Sequence, residues 1–498
     1  MSSASALQFE VEAKFNNARC ATLTLPHGPC RTPMFMPVGT QAAMKGLLSH
    51  QMEDLDVDLM LSNTYWLSQN PGADVVASLG GLHKMMGWVR NILTDSGGFQ
   101  MVSLLELSSV NEDGVTFKSP KDGKMTLLTP EESIGIQNKL GADIIMALDD
   151  VVPSTLTGPR VSEAQERTIR WLDRCYDAHK RPHDQNLFAI VQGGLDLNLR
   201  RKCVEAFIER DSKIPGYAIG GLSGGEEKDI FWRIVQLACS LLPPNKPRYV
   251  MGVGYPVDIL ICSALGADMF DCVYPARTAR FGTALSDVPG GVLKLRSDQY
   301  AEDPRVIDPG CKCYICRGAY TRARLHQLAC KEGGGELITY HNIAYMMNLT
   351  SRLRTSLRSG EFPSFVRWYI RTIFPRRIDC PQWVCNALVS AGISKDVKIE
   401  WYPQDEQIII GDQSHIHLKL DNENKQNQNE QIPIQSPYHV KERNIHGASK
   451  QRNIKIGDNQ NDEINKDVLN VGKNKRKREN ETQQNQESGK KRQRQDSQ

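Results

Sequence analysis

Three carboxylates and one thiol cluster are the residues of this chain whose types and spacing suit chemistry. Ile92-Leu93-Thr94-Asp95-Ser96-Gly97-Gly98-Phe99-Gln100 runs from an apolar segment into an acid, two glycines, an aromatic ring and an amide. The apolar run reads as a buried strand and Gly97-Gly98 as the turn that stops it, which puts Asp95 at a strand's C-terminal end beside open backbone. Asp149 and Asp271 close two further apolar runs in the same way. Acids so placed can act as nucleophile, as proton carrier, or as acceptor for a ligand's N–H groups. Their structural alternative is to cap the helices that follow. Gln192-Gly193-Gly194 and Gly220-Gly221-Leu222 expose backbone N–H groups that suit a carbonyl of a flat ligand. Arg277 and Arg280, just beyond Asp271, suit a phosphate-bearing substrate.

Cys311, Cys313 and Cys316 stand within six residues, and His341 follows. Three thiolates and an imidazole complete a tetrahedral zinc shell with no place left for water, which is a structural site. His326 competes for the fourth position, but it sits in a basic helical segment. His341 is preferred because it opens a new helix after Gly333-Gly334-Gly335, where a loop can fold it back.

The elements that must position these groups alternate. Strand-like runs lie at 59–65, 92–94, 143–148, 187–191, 217–219, 249–253 and 269–273, with helix-like segments at 131–140, 162–179, 197–209 and 227–241 between them. Such alternation means parallel strands with crossover helices. Polar or glycine residues end run after run: Asn63, Asp95, Asp149-Asp150, Gln192, Gly220, Gly252 and Asp271. A doubly wound sheet would gather them at one switch point, whereas a (β/α)8 TIM barrel brings every strand end to one mouth. The expectation is therefore an α/β barrel over residues 1–395, with a zinc-binding region at about 300–345. An uncertain extension follows over 396–420, then a low-complexity, disordered tail over 421–498 that is rich in Asn, Gln, Lys and Glu. Residues 7–50, broken by Pro26, Pro33 and Pro37, read as short strands and turns.

Composition bounds the rest. Lys and Arg total 61 against 58 Asp and Glu, so any basic surface is local. No apolar run approaches the roughly twenty residues of a membrane span, and a cytosolic chain is the default. The 13 cysteines are mostly isolated in apolar contexts and read as reduced core thiols. The basic clusters Lys475-Arg-Lys-Arg478 and Lys490-Lys-Arg-Gln-Arg494 suit nuclear import or RNA contact, and a merely solubilising tail equally well.

The motifs Asp95-Ser-Gly-Gly-Phe-Gln, Ala147-Leu-Asp149-Asp, Ile190-Val-Gln192-Gly-Gly, Ile219-Gly-Gly221-Leu-Ser and Phe270-Asp271-Cys-Val-Tyr-Pro, with the Cys311/Cys313/Cys316/His341 set, resemble the tRNA-guanine transglycosylases over residues 8–395. The resemblance is strongest to the family's eukaryotic, catalytic branch. It implies a zinc-bearing barrel that exchanges guanine at the wobble position of tRNAs with GUN anticodons (those for aspartate, asparagine, histidine and tyrosine) for queuine. By the resemblance, Asp271 is the nucleophile that attacks ribose C1′, and Asp95 transfers protons to and from the bases. The implied base pocket comprises Asp95, Ser96, Gly97, Gly98, Phe99, Asp149, Gln192, Gly221 and Leu222. The implied RNA contacts are Gly252-Val253-Gly254-Tyr255-Pro256-Val257-Asp258 and Ala276-Arg277-Thr278-Ala279-Arg280. Val151 and Gly224 stand where bacterial members usually carry Cys and Val, which leaves room for the full queuine base. The resemblance also implies a homologous non-catalytic subunit as heterodimer partner and peripheral association with the mitochondrial outer membrane. The competing expectation is that this chain is itself the non-catalytic, tRNA-positioning subunit.

Overall fold

The computed structural model describes residues 6–98, 108–118, 123–318, 320–330 and 334–393. Phe99, Gln100, the 396–420 extension and the tail with its basic clusters lie outside the described residues.

Eight parallel strands form the barrel: β1 Met34–Met36, β2 Leu59–Ser62, β3 Asn91–Thr94, β4 Ile144–Met146, β5 Asn186–Val191, β6 Tyr217–Ile219, β7 Arg248–Val250 and β8 Met269–Asp271. Their order round the sheet is β1-β8-β7-β6-β5-β4-β3-β2. The ring closes beyond β1, where Gly39 N donates to Leu61 O at 2.7 Å and Leu61 N to Pro37 O at 3.0 Å. Seven strands fall where the apolar runs are, most of them shorter. Tyr65, for example, leaves the strand for helix Thr64–Gln69. The eighth, β1, lies in the segment read only as short strands and turns. Three residues bounded by Pro33 and Pro37 carry too little pattern to announce a barrel strand, and only pairing with β8 identifies it.

Side chains of successive strand residues alternate between two cores. Met34, Met36, Leu59, Leu61, Leu93, Ile144, Met146, Phe188, Ile190, Ala218, Tyr249 and Met269 fill the barrel interior. Phe35, Ile92, Ile145, Ala189, Ile219, Val250 and Phe270 pack outward under the helices. Since the period is two, the next inward position of each strand sits at the mouth: Asn63 after Leu61, Asp95 after Leu93, Gln192 after Ile190, Asp271 after Met269. The polar residues are the top layer of the same stack whose lower layers are Met, Leu, Ile and Phe.

The antiparallel sheet Gln8–Phe15, Ala18–Leu25, Gly28–Thr32 covers the other end. It is fixed to residues just ahead of the barrel strands by the ion pairs Arg19–Asp268 at 2.6 Å and Arg31–Asp58 at 2.8 Å. His27 and His83 both reach Asp143, at 2.6 and 3.1 Å, with their rings stacked 3.6 Å apart. Near-parallel rings direct their lone pairs side by side, not toward one point, so this triad is a clamp on the barrel floor. A second antiparallel sheet, Ser108–Val110, Val115–Lys118 and Met125–Leu128, is inserted between β3 and β4.

The outer layer includes the expected helices, with bounds shifted by one to three residues: Pro130–Leu140, Pro159–Ala178, Leu197–Ile208 and Lys228–Leu241. After β8 come the short helix Tyr274–Arg280, the hairpin Thr283–Leu285/Val292–Lys294 and the long helix Gly334–Arg358. His341 lies inside that helix and is fully buried, instead of opening it as the glycine run suggested. None of the described helices is long and apolar enough to cross a membrane.

Candidate active site and metal centre

Asp271 ends β8 with one oxygen committed. Its Oδ1 accepts from Tyr249 Oη at 2.5 Å and from the Gly252 amide at 2.8 Å, while Oδ2 has no partner among the described residues. Burial pushes this carboxyl up from its ordinary range, and the two donors pull the other way. Neither Asp271 nor Asp149 caps a helix: Val273 and Gly158 hold those N-cap positions without side-chain bonds. The capping alternative therefore falls for both.

Asp95 is oriented from β2. Asn63 Nδ2 donates to its Oδ2, and the Thr64 amide donates to Oδ1 at 2.9 Å. Asn63 serves twice, since its Oδ1 also accepts from Trp66 N at 3.0 Å as the N-cap of the following helix. Tyr249 connects the two acids: it donates to Asp271, and the charges of Asp271 and Asp95 add to the burial that drives its phenol well above the usual range. The carboxylates of β3 and β8 thus face one barrel mouth.

A second wall is built from Asp149, Gln192 and Gly221. Asp149 is 4% exposed and accepts from Ser96 Oγ at 3.2 Å and from Gln192 Nε2 at 2.7 Å. Burial raises its carboxyl to about 6, against the lowering effect of those two bonds. Gly221 has φ +65°, and a Cβ there would stand 2.3 Å from Gln192 Oε1. Glycine is required both for the backbone conformation and for the approach of the amide. Gly97, at φ +81°, makes the turn after Asp95. Gly98 lies against Leu148, and Leu222 is buried beside the wall. Phe99 lies outside the described residues.

The neighbouring acid separates in role. Asp150 is fully buried and takes Arg160 and Arg167, each at 2.6 Å, so it anchors the strand end that carries Asp149. Past β6, the Ser223 and Gly224 amides donate to Glu226 at 2.6 and 2.9 Å. A Cβ on Gly224 would come 2.7 Å from Ser154 Oγ, a buried hydroxyl with no partner among the described residues. Val151 is buried on the same loop.

The two expected RNA-contacting segments border the mouth. Gly252, Tyr255 and Arg280 are exposed, and Pro256, Val257, Ala276, Arg277 and Thr278 partly so. Val253, Gly254, Asp258 and Ala279 are buried; Asp258 pairs inward with Lys228 at 2.6 Å. Tyr255 leans on Tyr274 with ring centroids 4.4 Å apart.

Cys311, Cys313, Cys316 and His341 come together as four buried residues whose ligand atoms all lie within 4.8 Å of one another. His341 Nδ1 is 3.9, 3.6 and 3.4 Å from the three sulfurs in sequence order. Its Nε2–H donates to Leu285 O at 2.8 Å, which fixes the tautomer that leaves Nδ1 for a metal. The competitor His326 instead turns Nδ1 to Leu295 O at 2.8 Å. Next to His341, Asn342 accepts from Leu285 N and donates to Pro275 O and Thr283 O. A closed four-ligand shell of this kind fits a structural metal, and it ties the long helix to the segment leaving Asp271.

Sequence reasoning marked Asn63 only as a strand end and passed over Tyr249, Ser154, Arg160 and Arg167. Tyr249 alone had a signal, as the inward residue of its strand.

Two carboxylates at the mouth of a parallel barrel, beside a wall of hydrogen-bonding groups and an appendage that carries a four-ligand metal-binding set, make the site of a barrel enzyme whose acids can serve as nucleophile and proton carrier. The sequence profile described as queuine tRNA-ribosyltransferase matches residues 14–375. The chain is 50% identical to the queuine tRNA-ribosyltransferase catalytic subunit of Schizosaccharomyces pombe over 397 residues, covering 78% of this chain and 97% of that one. It is 50% identical to the Caenorhabditis briggsae catalytic subunit over 404 residues (78% and 100% of the two chains). It is 45% identical to the Thermus thermophilus queuine tRNA-ribosyltransferase over 387 residues (77% and 98%). The chain belongs to the queuine tRNA-ribosyltransferase family.

Proposed function

We propose that this chain is a catalytic tRNA-guanine transglycosylase that removes guanine from the wobble position of tRNAs with GUN anticodons and installs queuine. The observation that carries this reading is the state of Asp271. Tyr249 and Gly252 hold one carboxylate oxygen, while the other has no partner among the described residues, at the strand end whose mouth Asp95 shares. Oδ2 attacks ribose C1′, guanine departs with a proton from Asp95, and a covalent enzyme–RNA ester remains. The incoming base gives a proton back to Asp95 and displaces Asp271. Two displacements of this kind parallel retaining glycoside hydrolysis. Asp149 accepts from the N–H edge of the base, and Gln192 with the Gly221-Leu222 backbone meets its carbonyl side. The test is a denaturing gel of the trapped RNA adduct. Wild type forms it; an adduct that survives Asp271→Ala would overturn the assignment.

Around this core the same reading gives zinc to the thiolate–imidazole shell, where it crosslinks the chain and takes no part in the chemistry. Tyr255, Arg277 and Arg280 receive the RNA backbone and bases. The missing side chain at Gly224, with Ser154 Oγ close beside it, is what favours queuine's bulky cyclopentenediol in this reading. Relatives named as catalytic subunits support a second, non-catalytic homologue as partner, and tRNA as substrate fits a cytoplasmic site of action. Peripheral mitochondrial attachment is the further expectation of the same resemblance. The reading of this chain as the non-catalytic subunit predicts no adduct with any partner present, so the same gel decides it.

A further inference from the structure

Directly behind the wall that meets the base lies Arg200, fourth residue of helix Leu197–Ile208 and 0% exposed. Its Nε donates to Gly194 O at 2.9 Å and its Nη1 to Val191 O at 2.7 Å. Both acceptors are neutral carbonyls of the β5 end and its glycine turn. Among the described residues Nη2 is buried with no partner and no carboxylate lies within ion-pair distance, although Glu226 and Asp149 act on the guanidinium from farther away. That bare nitrogen points at the wall: it lies 3.3 Å from where a Cβ on Gly221 would stand, a point 2.3 Å from Gln192 Oε1. The chain pays for this placement in conformation, since Gly193 at φ +142° lets the helix start press against the turn, where a Cβ would come 2.8 Å from Arg200 N.

A buried guanidinium with no direct ion pair, and with only the carboxylates of Glu226 and Asp149 acting on it from farther away, is costly, and a purely architectural role could be filled by a neutral donor. Burial draws its pKa down to about 10, so the charge persists at neutral pH. In a low-dielectric wall such a charge acts over several ångströms and needs no reorganisation as the reaction proceeds.

We propose that Arg200 is a positioning residue for base departure, whose charge behind Gln192 and Gly221 stabilises the negative charge that builds on the purine as its bond to ribose breaks. The inference rests on the base-exchange reading above. In that step an Asp271 oxygen forms the bond to C1′. The C1′–N pair of electrons leaves with guanine and spreads toward its carbonyl oxygen, and a proton from Asp95 neutralises the base. Arg200 touches none of the reacting atoms; its field reaches them through the Gln192 amide and the Gly221 peptide. Return of the incoming base passes through the same charge distribution, so both half-reactions depend on it.

The experiment compares Arg200→Lys with Arg200→Gln in single-turnover adduct formation and in steady-state exchange of labelled guanine into tRNA. Both shorten the side chain and give up part of the carbonyl bonding, but only the first retains a cation. Arg200→Lys is expected to lose less than about tenfold in kcat and Arg200→Gln about a hundredfold, in the range of removing one donor from a charge-stabilising site. KM for tRNA is expected to stay within about twofold in both, since the charge appears only in the transition state. Equal kcat in the two variants, a rise in KM in place of a fall in kcat, or failure of both to fold would assign the guanidinium to architecture and overturn the proposal. Asp271→Ala is run alongside. If it still forms adduct, the base-exchange reading itself fails, whereas loss of adduct there with equal Arg200 variants sinks only the inference drawn here.

Discussion

Replacing Asp149 with asparagine should separate stability from activity. The folded chain holds this carboxyl at about 6 in place of its usual 3.8, with burial as the main cause. A carboxyl that is harder to ionise when folded binds its proton more tightly in the native state. Stability from this group is therefore fully present below the unfolded value and is lost as pH rises through about 6. At about 1.4 kcal/mol per tenfold change in acidity, the full interval is worth about 3 kcal/mol, of which about 2 kcal/mol falls between pH 4.5 and 7.5. Denaturant midpoints measured across that range should show the wild type losing about 2 kcal/mol more than Asp149→Asn. Function should move the opposite way. The carboxylate accepts from Ser96 and Gln192 on its two oxygens, so an amide must turn one donor against another. A buried donor left unsatisfied costs about 1–3 kcal/mol, and the charged acceptor for the base's N–H groups is lost as well. Guanine exchange in the variant should fall by about a hundredfold or more in kcat/KM. In the wild type, about a tenth of Asp149 is ionised at pH 5, so activity there should be about a tenth of its value at pH 7.5 from this group alone. Parallel stability curves for the two proteins, or exchange within tenfold of wild type in the variant, would refute the reasoning.

Other expectations follow from the same geometry. Cys316→Ser should release the bound metal, measurable by atomic absorption, and lower the thermal midpoint. Because Asn342 and His341 hold the segment after Asp271, the loss should weaken tRNA binding through Arg277 and Arg280 before it reaches the barrel. Gly224→Val brings its Cβ to 2.7 Å from Ser154 Oγ and fills the space beside it, so queuine incorporation should drop at least about tenfold while guanine exchange persists; equal losses would show that the position does not select the base. Gly221→Ala should abolish exchange, read as KM for the base, because φ +65° and the 2.3 Å approach to Gln192 both exclude a side chain. At the barrel floor, Asp143 bonding holds the His27 imidazole above its usual range, and the His27 and His83 bonds hold Asp143 below its own against the cost of burial. The His27 contribution is lost as pH rises through its raised value, and the Asp143 contribution as pH falls through its lowered one. The floor should therefore be firmest between the two, and Asp143→Asn should flatten both limbs of the stability profile.

Much of the barrel was legible because strand and helix periods differ and because its polar residues sit at strand ends. Leu93 to Asp95, Ile190 to Gln192 and Met269 to Asp271 each carry the inward alternation one step from apolar to functional. The thiolate set was legible for a different reason: ligands for a tetrahedral ion must be dense in sequence when a short loop supplies three of them. What the sequence could not show were contacts between strands. β1 is too short to have a period, and nothing local says that Asn63 serves Asp95 from β2 or that Tyr249 serves Asp271 from β7.

The sequence by itself determined the alternating elements, the acids at their ends and the three thiols, since each depends on neighbours a few residues away. Only the tertiary structure decided which acid is anchor and which is reader. Asp149 and Asp150 are adjacent and chemically identical. Yet opposite orientations send one to Ser96 and Gln192 in the mouth and the other to Arg160 and Arg167 behind it. It likewise placed behind the base wall a buried guanidinium with no direct ion pair among the described residues, on a helix whose pattern gives no hint of it. Burial and through-space charge depend on what the rest of the chain brings within a few ångströms, and no local spacing encodes that.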